Sequence, residues 1–472
     1  MFGSSARRGG GSRTVADVVE DIGYGPSQLR TNILVNGSWL ADGAEIFMIS
    51  ATTSAIAKEW DISGISIGLI TSVVYTGTFL GNLISGILGD SWGRRFPVVI
   101  CFPVICLCTI ASSLAQEFWQ LLILRFLVGF GFGVGQPSAV ALLMEVSPAK
   151  WRCLNQGLAQ IAFAIGELYC CMLLWLDDPS LENLRWRKLL VSAAGPALLF
   201  ALLSWAFLGE SPAHLESKGD LVGAEDVLDK MRRSNGQYHV DVSIELPRGN
   251  HSGAPTSKSP ETAGGLQLHT ICSGRLGMTT ATLCFICFCY NLSVYGAFNA
   301  FPSLVPKLMT PIAGGSPVVA LASGALLEIP CDLIGLWAGV CLPRKVVLYI
   351  YFAGIALSSA LFAGGGSFST WSSSALWLGY YGIKGFPQIG SISLYTFAAE
   401  SYPVAARATG TAVVIGVGRI GAVLAPLVYQ GLHDATGSHQ AFFILVAALA
   451  AFSFGATWSW TLETYCGRAM AL

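Results

Sequence analysis

Two carboxylates stand in a stretch otherwise fit for lipid. LVNGSWLADGAEIFMISATTSAIA, residues 34–57, carries Asp42 and Glu45. They are i and i+3, so a helix presents both on one face. Two like charges that close do not both stay ionised without water, which suits a proton site or a clamp for a cationic group. A structural ion pair with a base such as Arg125 is the alternative. A charge at a helix centre costs about 2.5–3.5 kcal/mol on the insertion scale, so each needs a partner, a watery path or a role. Six further ionisable residues lie in similar runs: Arg125, Glu167, Glu328, Asp332, Lys384 and Arg419. Arg125 and Lys384 can each hold an anion or neutralise a carboxylate. Glu328 and Asp332 are one turn apart. Arg419, among the glycines of VGRIGA, reads as a brace at a close helix crossing.

The elements that must position these groups are helices. The chain has 472 residues, 53% hydrophobic and only 12% charged. That is about half the charged fraction of a soluble domain and points to a polytopic membrane protein. Spans of about 20 apolar residues are expected at 34–57, 65–88, 96–115, 118–145, 153–176, 188–209, 278–307, 317–341, 344–364, 371–398, 406–431 and 439–461. The organisation expected is a cytoplasmic segment 1–33, a six-helix bundle 34–209, an amphipathic helix and Ser/Pro/Gly-rich linker 210–277, a second six-helix bundle 278–461 and a cytoplasmic tail 462–472. With the N-terminus inside, 19 of the 27 Lys and Arg fall in cytoplasmic segments, as the positive-inside rule requires. Arg185, Arg187 and Lys188 are exceptions. A repeat links the halves: EVSPAKWR from Glu145 and ESYPVAAR from Glu400 both read Glu, two residues, Pro, three residues, Arg. In a two-fold arrangement the first and fourth helices of each half are equivalent and would line a central polar path. They carry Asp42, Glu45, Arg125, Tyr290, Asn291, Tyr295, Asn299, Tyr380, Tyr381, Lys384 and Gln388.

Other chemistries find little support. Net charge is −1 with no basic stripe, so nucleic acid is not an expected partner. Cys284, Cys287 and Cys289 have a metal-like spacing, but within a lipid-length helix without a nearby histidine they read as packing residues. The string Gly129, Gly131, Gly133, Gly135 follows no strand and reads as small residues at helix contacts, not a nucleotide loop. The six histidines are scattered outside the helix cores, with no base–nucleophile arrangement. No catalytic residue, metal or cofactor is expected, and residues 1–30 do not read as a cleavable signal.

GILGDSWGRR, residues 86–95, resembles the loop signature between helices 2 and 3 of the major facilitator superfamily, with Ser91 where a basic residue is common. RFLVGFGFG, from Arg125, resembles that superfamily's helix 4 motif. Within it, VADVVEDIGYGPSQ, ADGAEIF, RWRKLL with GESP, LLEIP, ESYPVAARATGTA, GRIGAVLAP and LETYCGR look most like the synaptic vesicle two-related proteins and their organic-ion-transporter relatives. The likeness covers residues 14–468 except the linker. The second-half loop departs: CLPRK keeps only Arg344 and Lys345 of the basic motif. Asp332 is an added acid.

The resemblance implies an all-α membrane protein of twelve transmembrane helices in two pseudo-symmetric bundles. Its implied function is secondary active transport of a small organic ion by alternating access, coupled to protons, by a single chain in a lipid bilayer. Substrate and proton would be bound by Asp42, Glu45, Arg125, Tyr290, Asn291, Tyr295, Glu328, Lys384 and Gln388. Asp90, Gly93, Arg94, Arg95, Glu145, Arg152, Glu400 and Arg407 would gate. A non-transporting vesicle protein on the same fold, or a sugar or phosphate porter, is the alternative.

Overall fold

The computed structural model describes residues 13–244, 271–308, 315–365, 372–402 and 407–460, with 464–465 and 468–469. The first element is a short amphipathic helix, α1 (Val15–Ile22), started by a capping box between Thr14 and Asp17. The first half then runs α2 (Pro26–Trp60), α3 (Ile65–Trp92), α4 (Arg95–Ser113), α5 (Phe118–Val146), α6 (Arg152–Asp177), α7 (Trp186–Ala193) and α8 (Gly195–Phe207). α9 (Pro212–Ser217) and α10 (Leu221–Ser234) follow. The second half is α11 (Gly274–Leu308), α12 (Pro317–Cys341), α13 (Arg344–Gly364), α14 (Ser372–Glu400), α15 (Arg407–Thr436) and α16 (Gln440–Trp460). A two-residue antiparallel pairing, β1 (Thr464–Tyr465) with β2 (Arg468–Ala469), lies beyond.

The helix ends follow local chemistry. α2 begins eight residues before the expected span because Pro26 opens it, its fixed φ and missing N–H both suiting a first turn. It ends where Asp61 turns left-handed. The sixth span is two helices, α7 and α8, divided at Ala194: Pro196 cannot donate into the preceding turn. Ten described helical stretches are long and apolar enough to cross a membrane. α2 and α14 complete the twelve, and their polar content is what separates them from the rest: they carry Asp42, Glu45, Lys384 and Gln388. Large apolar side chains stay exposed around the bundle, among them Leu83, Leu107, Leu202, Leu357 and Trp458. In a membrane this is the lipid-facing surface.

Each half is knitted by the same pairs of helices at near backbone contact. In the first half, a Cβ on Gly43 of α2 would lie 2.2 Å from the Phe163 carbonyl oxygen of α6, and one on Gly166 of α6 would lie 2.1 Å from that of Leu40. On α3 and α5, a Cβ on Gly77 would lie 2.1 Å from the Phe126 carbonyl oxygen and one on Gly129 would lie 1.9 Å from that of Val74. The second half repeats both crossings. A Cβ on Gly421 of α15 would lie 2.3 Å from the Phe288 carbonyl oxygen of α11, and one on Gly335 of α12 would lie 2.8 Å from that of Gln388 on α14. The glycine string of α5 thus serves helix packing.

The halves meet along α3 with α15, α6 with α12, and α2 with α11. At the end away from the termini, Thr71 donates to Asn299 at 3.1 Å and Ser316 to the Pro179 carbonyl at 2.8 Å. α1 and α10 lie at the terminus-bearing end, where Val15, Val18, Val19, Ile22, Ala224 and Leu228 join one apolar cluster with α2, α4, α5 and α8.

The α3–α5 crossing leaves no volume for a side chain. Gly129→Leu should destabilise by the upper end of the about 1–3 kcal/mol that overpacking costs. It should be seen as a lower melting temperature and loss of the monodisperse peak in detergent. Gly431→Ala, whose Cβ meets nothing within 4 Å, should change neither. Equal tolerance at both positions would show that the crossing is not tight.

Candidate functional site

The charges inside the bundle form two separate groups. In the first, Asp42 and Glu45 both face α5, as their spacing requires, but find different partners there. Arg125 Nη1 donates to Glu45 Oε2 at 2.9 Å, and its Nε donates to Ser112 Oγ at 3.1 Å. Both charged side chains are sealed, at 2% and 1% exposure. Gln136 Nε2 donates to Asp42 Oδ2 at 2.8 Å. Arg125 and Gln136 are eleven residues apart, three helical turns, so one face of α5 serves both acids. Glu45 and Arg125 therefore neutralise each other away from the aqueous path expected for them.

Asp42 instead looks across the seam. Its electrostatic neighbours are Glu45 and, from α15, Arg419. Arg419 Nη1 donates to the Tyr295 hydroxyl of α11 at 3.1 Å. Tyr295 lies against Tyr75 of α3 with centroids 4.6 Å apart. Arg419 is half-buried, and among the described residues it is the intramembrane base with no carboxylate within 4 Å. Its bond to Tyr295 ties α15 to α11 beside the Gly421–Phe288 crossing, in keeping with the brace its glycine setting suggests, and it also faces Asp42. Asp42, Tyr75 and Gln136 from one half thus meet Tyr295 and Arg419 from the other.

The second group centres on Lys384 of α14, 4% exposed. Its Nζ donates to Glu167 Oε2 of α6 at 2.7 Å and to Glu328 Oε1 of α12 at 2.5 Å. Gln388 Nε2 donates to Glu328 Oε2 at 2.8 Å. The ammonium also lies 4.3 Å from the Phe298 ring centroid, a cation–π distance. Lys384 and Glu167 belong to different halves, so their ion pair spans the seam. Of the two roles open to Lys384 from sequence, it takes carboxylate neutralisation.

Tyr290 packs on Tyr351 and Tyr395. Asn291 donates to the Cys287 carbonyl at 2.8 Å. Tyr380 donates to the Ala320 carbonyl at 3.1 Å, tying α14 to α12. Tyr75, Gln136 and Phe298 were not among the sequence candidates, and Arg419 was named there as a brace and not as a binding residue. Only Gln136 carried a usable signal, its three-turn spacing from Arg125; the rings and Arg419 acquire their partners from other helices, far away in sequence.

At the terminus-bearing end, the α3–α4 loop is organised by a carboxylate. Glu210, of the GESP segment after α8, accepts from the backbone N–H of Arg94 at 2.8 Å and of Arg95 at 3.2 Å, capping the positive end of α4. Gly93 has φ +95°, and a Cβ there would sit 2.2 Å from Glu210 Oε2, so the motif requires glycine twice over. Arg94 pairs with Asp90 at 2.6 Å and Glu145 at 3.2 Å. Burial opposes its charge, but the hydrogen bonds and charges of those acids raise its pKa above the ordinary arginine value. Arg344 with Glu400, at 3.4 Å, repeats the Arg94–Glu145 pair in the second half. Arg95 donates to the Trp205 carbonyl. Arg152 is exposed and bonds the Ser147 carbonyl instead of joining the charge pairs. The Arg407 side chain lies outside the described residues.

This arrangement, two six-helix halves with charges at their seam and loop ion pairs at one end, defines a multi-pass membrane transporter of the major facilitator fold. A solved proton:xylose symporter of that superfamily aligns with a TM-score of 0.68 at 15% identity, covering 95% of this chain and 98% of the symporter. The chain belongs to the sugar (and other) transporter family, whose profile matches residues 32–468. It is 27% identical to the synaptic vesicle 2-related protein of Rattus norvegicus, over 88% of this chain and 75% of that one. It is 25% identical to the niacin transporter NiaP of Acinetobacter baylyi, over 92% and 94%.

Breaking a sealed ion pair strands a charge, at a cost of about 3–5 kcal/mol. Glu45→Leu and Arg125→Met should each lower the melting temperature strongly, while the double variant melts closer to the parent. Additive losses in this cycle would mean the two charges do not stabilise each other.

Proposed function

We propose that this chain is a secondary active transporter of a small organic anion, coupled to protons, whose halves alternate access to the seam between α2, α3, α5, α11 and α15. The observation that carries this reading is Arg419. Arg125 and Lys384 are ion-paired with carboxylates, whereas Arg419 is half-buried with a tyrosine hydroxyl as its hydrogen-bond partner. A planar guanidinium beside the rings of Tyr295 and Tyr75 suits an aromatic carboxylate, gripped by charge and flanked by faces. Niacin, carried by the Acinetobacter relative according to its name, has that chemistry.

Proton coupling follows from Asp42. With the path empty, Arg419 offsets its charge across the seam. A substrate carboxylate on Arg419 screens that offset and adds a second negative charge. Proton uptake by Asp42 removes the repulsion, so anion and proton move together. The Lys and Arg distribution supports placing the termini, and the Arg94 and Arg344 pairs, on the cytoplasmic side. One chain in a lipid bilayer supplies the whole path.

The test is uptake of labelled nicotinate and benzoate into proteoliposomes at external pH 5.5 and 7.5. Uptake should rise several-fold at the acidic pH. Arg419→Gln should reduce it about tenfold or more, as removal of a charged hydrogen bond worth about 1.5–3 kcal/mol implies. Asp42→Asn should abolish the pH response. Uptake of a sugar or an organic cation that survives Arg419→Gln would sink the anion reading.

A further inference from the structure

The proposed anion path uses none of the four ionisable groups gathered between α6, α12 and α14. Lys384 satisfies one oxygen of Glu167 and one of Glu328, and Gln388 the other oxygen of Glu328. Glu167 Oε1 is left without a hydrogen-bond partner, on a fully buried side chain. Asp332, one turn beyond Glu328 on α12, is 1% exposed, and neither of its carboxylate oxygens has a hydrogen-bond partner. Its electrostatic neighbours are the two other acids: Glu328 on its own helix and Glu167 from α6. Tyr290 faces it from α11, Cys331 adjoins it, and Lys384 of α14 is the base of the group.

The charges do not balance. Glu167, Glu328 and Asp332 carry −3 when ionised against +1 on Lys384, leaving −2 in a membrane interior. Glu45 has its arginine, and Asp42 has Gln136 with Arg419 beyond. Here the acceptors outnumber the donors, and the oxygens without partners belong to Asp332 and Glu167, which neighbour each other.

We propose that Asp332 and Glu167, with Glu328, form a binding site for a small monovalent cation, a proton or a sodium ion, distinct from the Arg419 path. The chemistry is that of oxygen ligands with unused lone pairs and excess negative charge. The site lies on the Lys384–Glu167 ion pair, which joins the two halves. A cation on Glu167 competes with Lys384 for that carboxylate, so its arrival loosens the bridge. This gives the cation a means of biasing which end of the seam opens. The proposal concerns cation binding by the protein itself and does not require that the transported substrate be an anion.

The experiment is thermal unfolding of the purified full chain from pH 5.5 to 8.5, in sodium chloride and in choline chloride. A cation that binds the folded state and not the unfolded one raises the melting temperature. In choline, the parent should melt progressively lower as pH rises. Sodium should restore the lost stability at pH 8.5 if it is the occupant, and should not if the occupant is a proton. Asp332→Asn keeps the shape of the side chain and removes the charge, and it should lose most of either response. If that variant does not fold, Glu167→Gln gives the same readout. Arg419→Gln should lose stabilisation by nicotinate yet keep the cation response, so the two readings fail separately. A parent insensitive to both pH and sodium, or responses that persist unchanged in Asp332→Asn and Glu167→Gln, would overturn the proposal.

Discussion

A full charge in the middle of a bilayer must find an opposite charge or a polar path, and that requirement governs this molecule. Glu45 and Arg125 draw α2 and α5 together over a sealed contact. Lys384 draws α14, α12 and α6 together, and in doing so crosses between the halves. The desolvation cost of such groups is severe when one partner is missing. The geometry of the helices is therefore tied to the geometry of the charges. Glycine supplies the other side of the same constraint. Close backbone approach at the α2–α6, α3–α5, α11–α15 and α12–α14 crossings lets short polar side chains reach one another across the bundle.

The two halves resemble each other beyond the EVSPAKWR and ESYPVAAR segments, though not in strict register. The fourth helix of each half holds a glutamine beside an interior proline: Gln136 with Pro137 in α5, and Gln388 with Pro387 in α14. Each glutamine amide donates 2.8 Å to a carboxylate on a neighbouring helix, Asp42 in one half and Glu328 in the other. The loop arginines repeat as well, Arg94 on Glu145 and Arg344 on Glu400. The CLPRK loop therefore keeps an arginine–glutamate pair although most of the loop motif is gone. Symmetry breaks where the functions divide: the first half pairs its second acid with an arginine, whereas the second half keeps an added acid, Asp332.

Much of the fold was legible in the sequence because lipid imposes a strong pattern. Apolar runs of fixed length marked the twelve spans, with α12 and α13 at the expected residues. The start of α2 was missed because Pro26 initiates the helix in polar sequence, and the break at Ala194 because hydropathy does not register a proline. The buried charges were legible as a set, since each is conspicuous in apolar surroundings. Their pairing was not. Glu45 and Arg125 are 80 residues apart, and Lys384 lies 217 residues from Glu167. Nothing local decides which acid takes which base. Arg419 shows this best: its flanking glycines suggest a packing role at a close crossing, and only the approach of Tyr295 and Asp42 from other helices adds a polar one.

The strength of the contacts is unevenly distributed, and that bears on how such a molecule moves. Within each half, backbones touch over several turns and the Glu45–Arg125 charge pair is sealed from water. Between the halves, the end away from the termini is joined by neutral hydrogen bonds such as Thr71 to Asn299, each worth about 0.5–1.5 kcal/mol net. The loop ion pairs at the other end lie within one half or the other, so they brace the halves without fastening them together. The Lys384–Glu167 pair is different, since it carries charge across the seam at the depth of the acids themselves. Among the described residues it is the one ion pair that joins the two six-helix halves. The proposed cation, bound among Glu167, Glu328 and Asp332, would act on that link rather than at the loops.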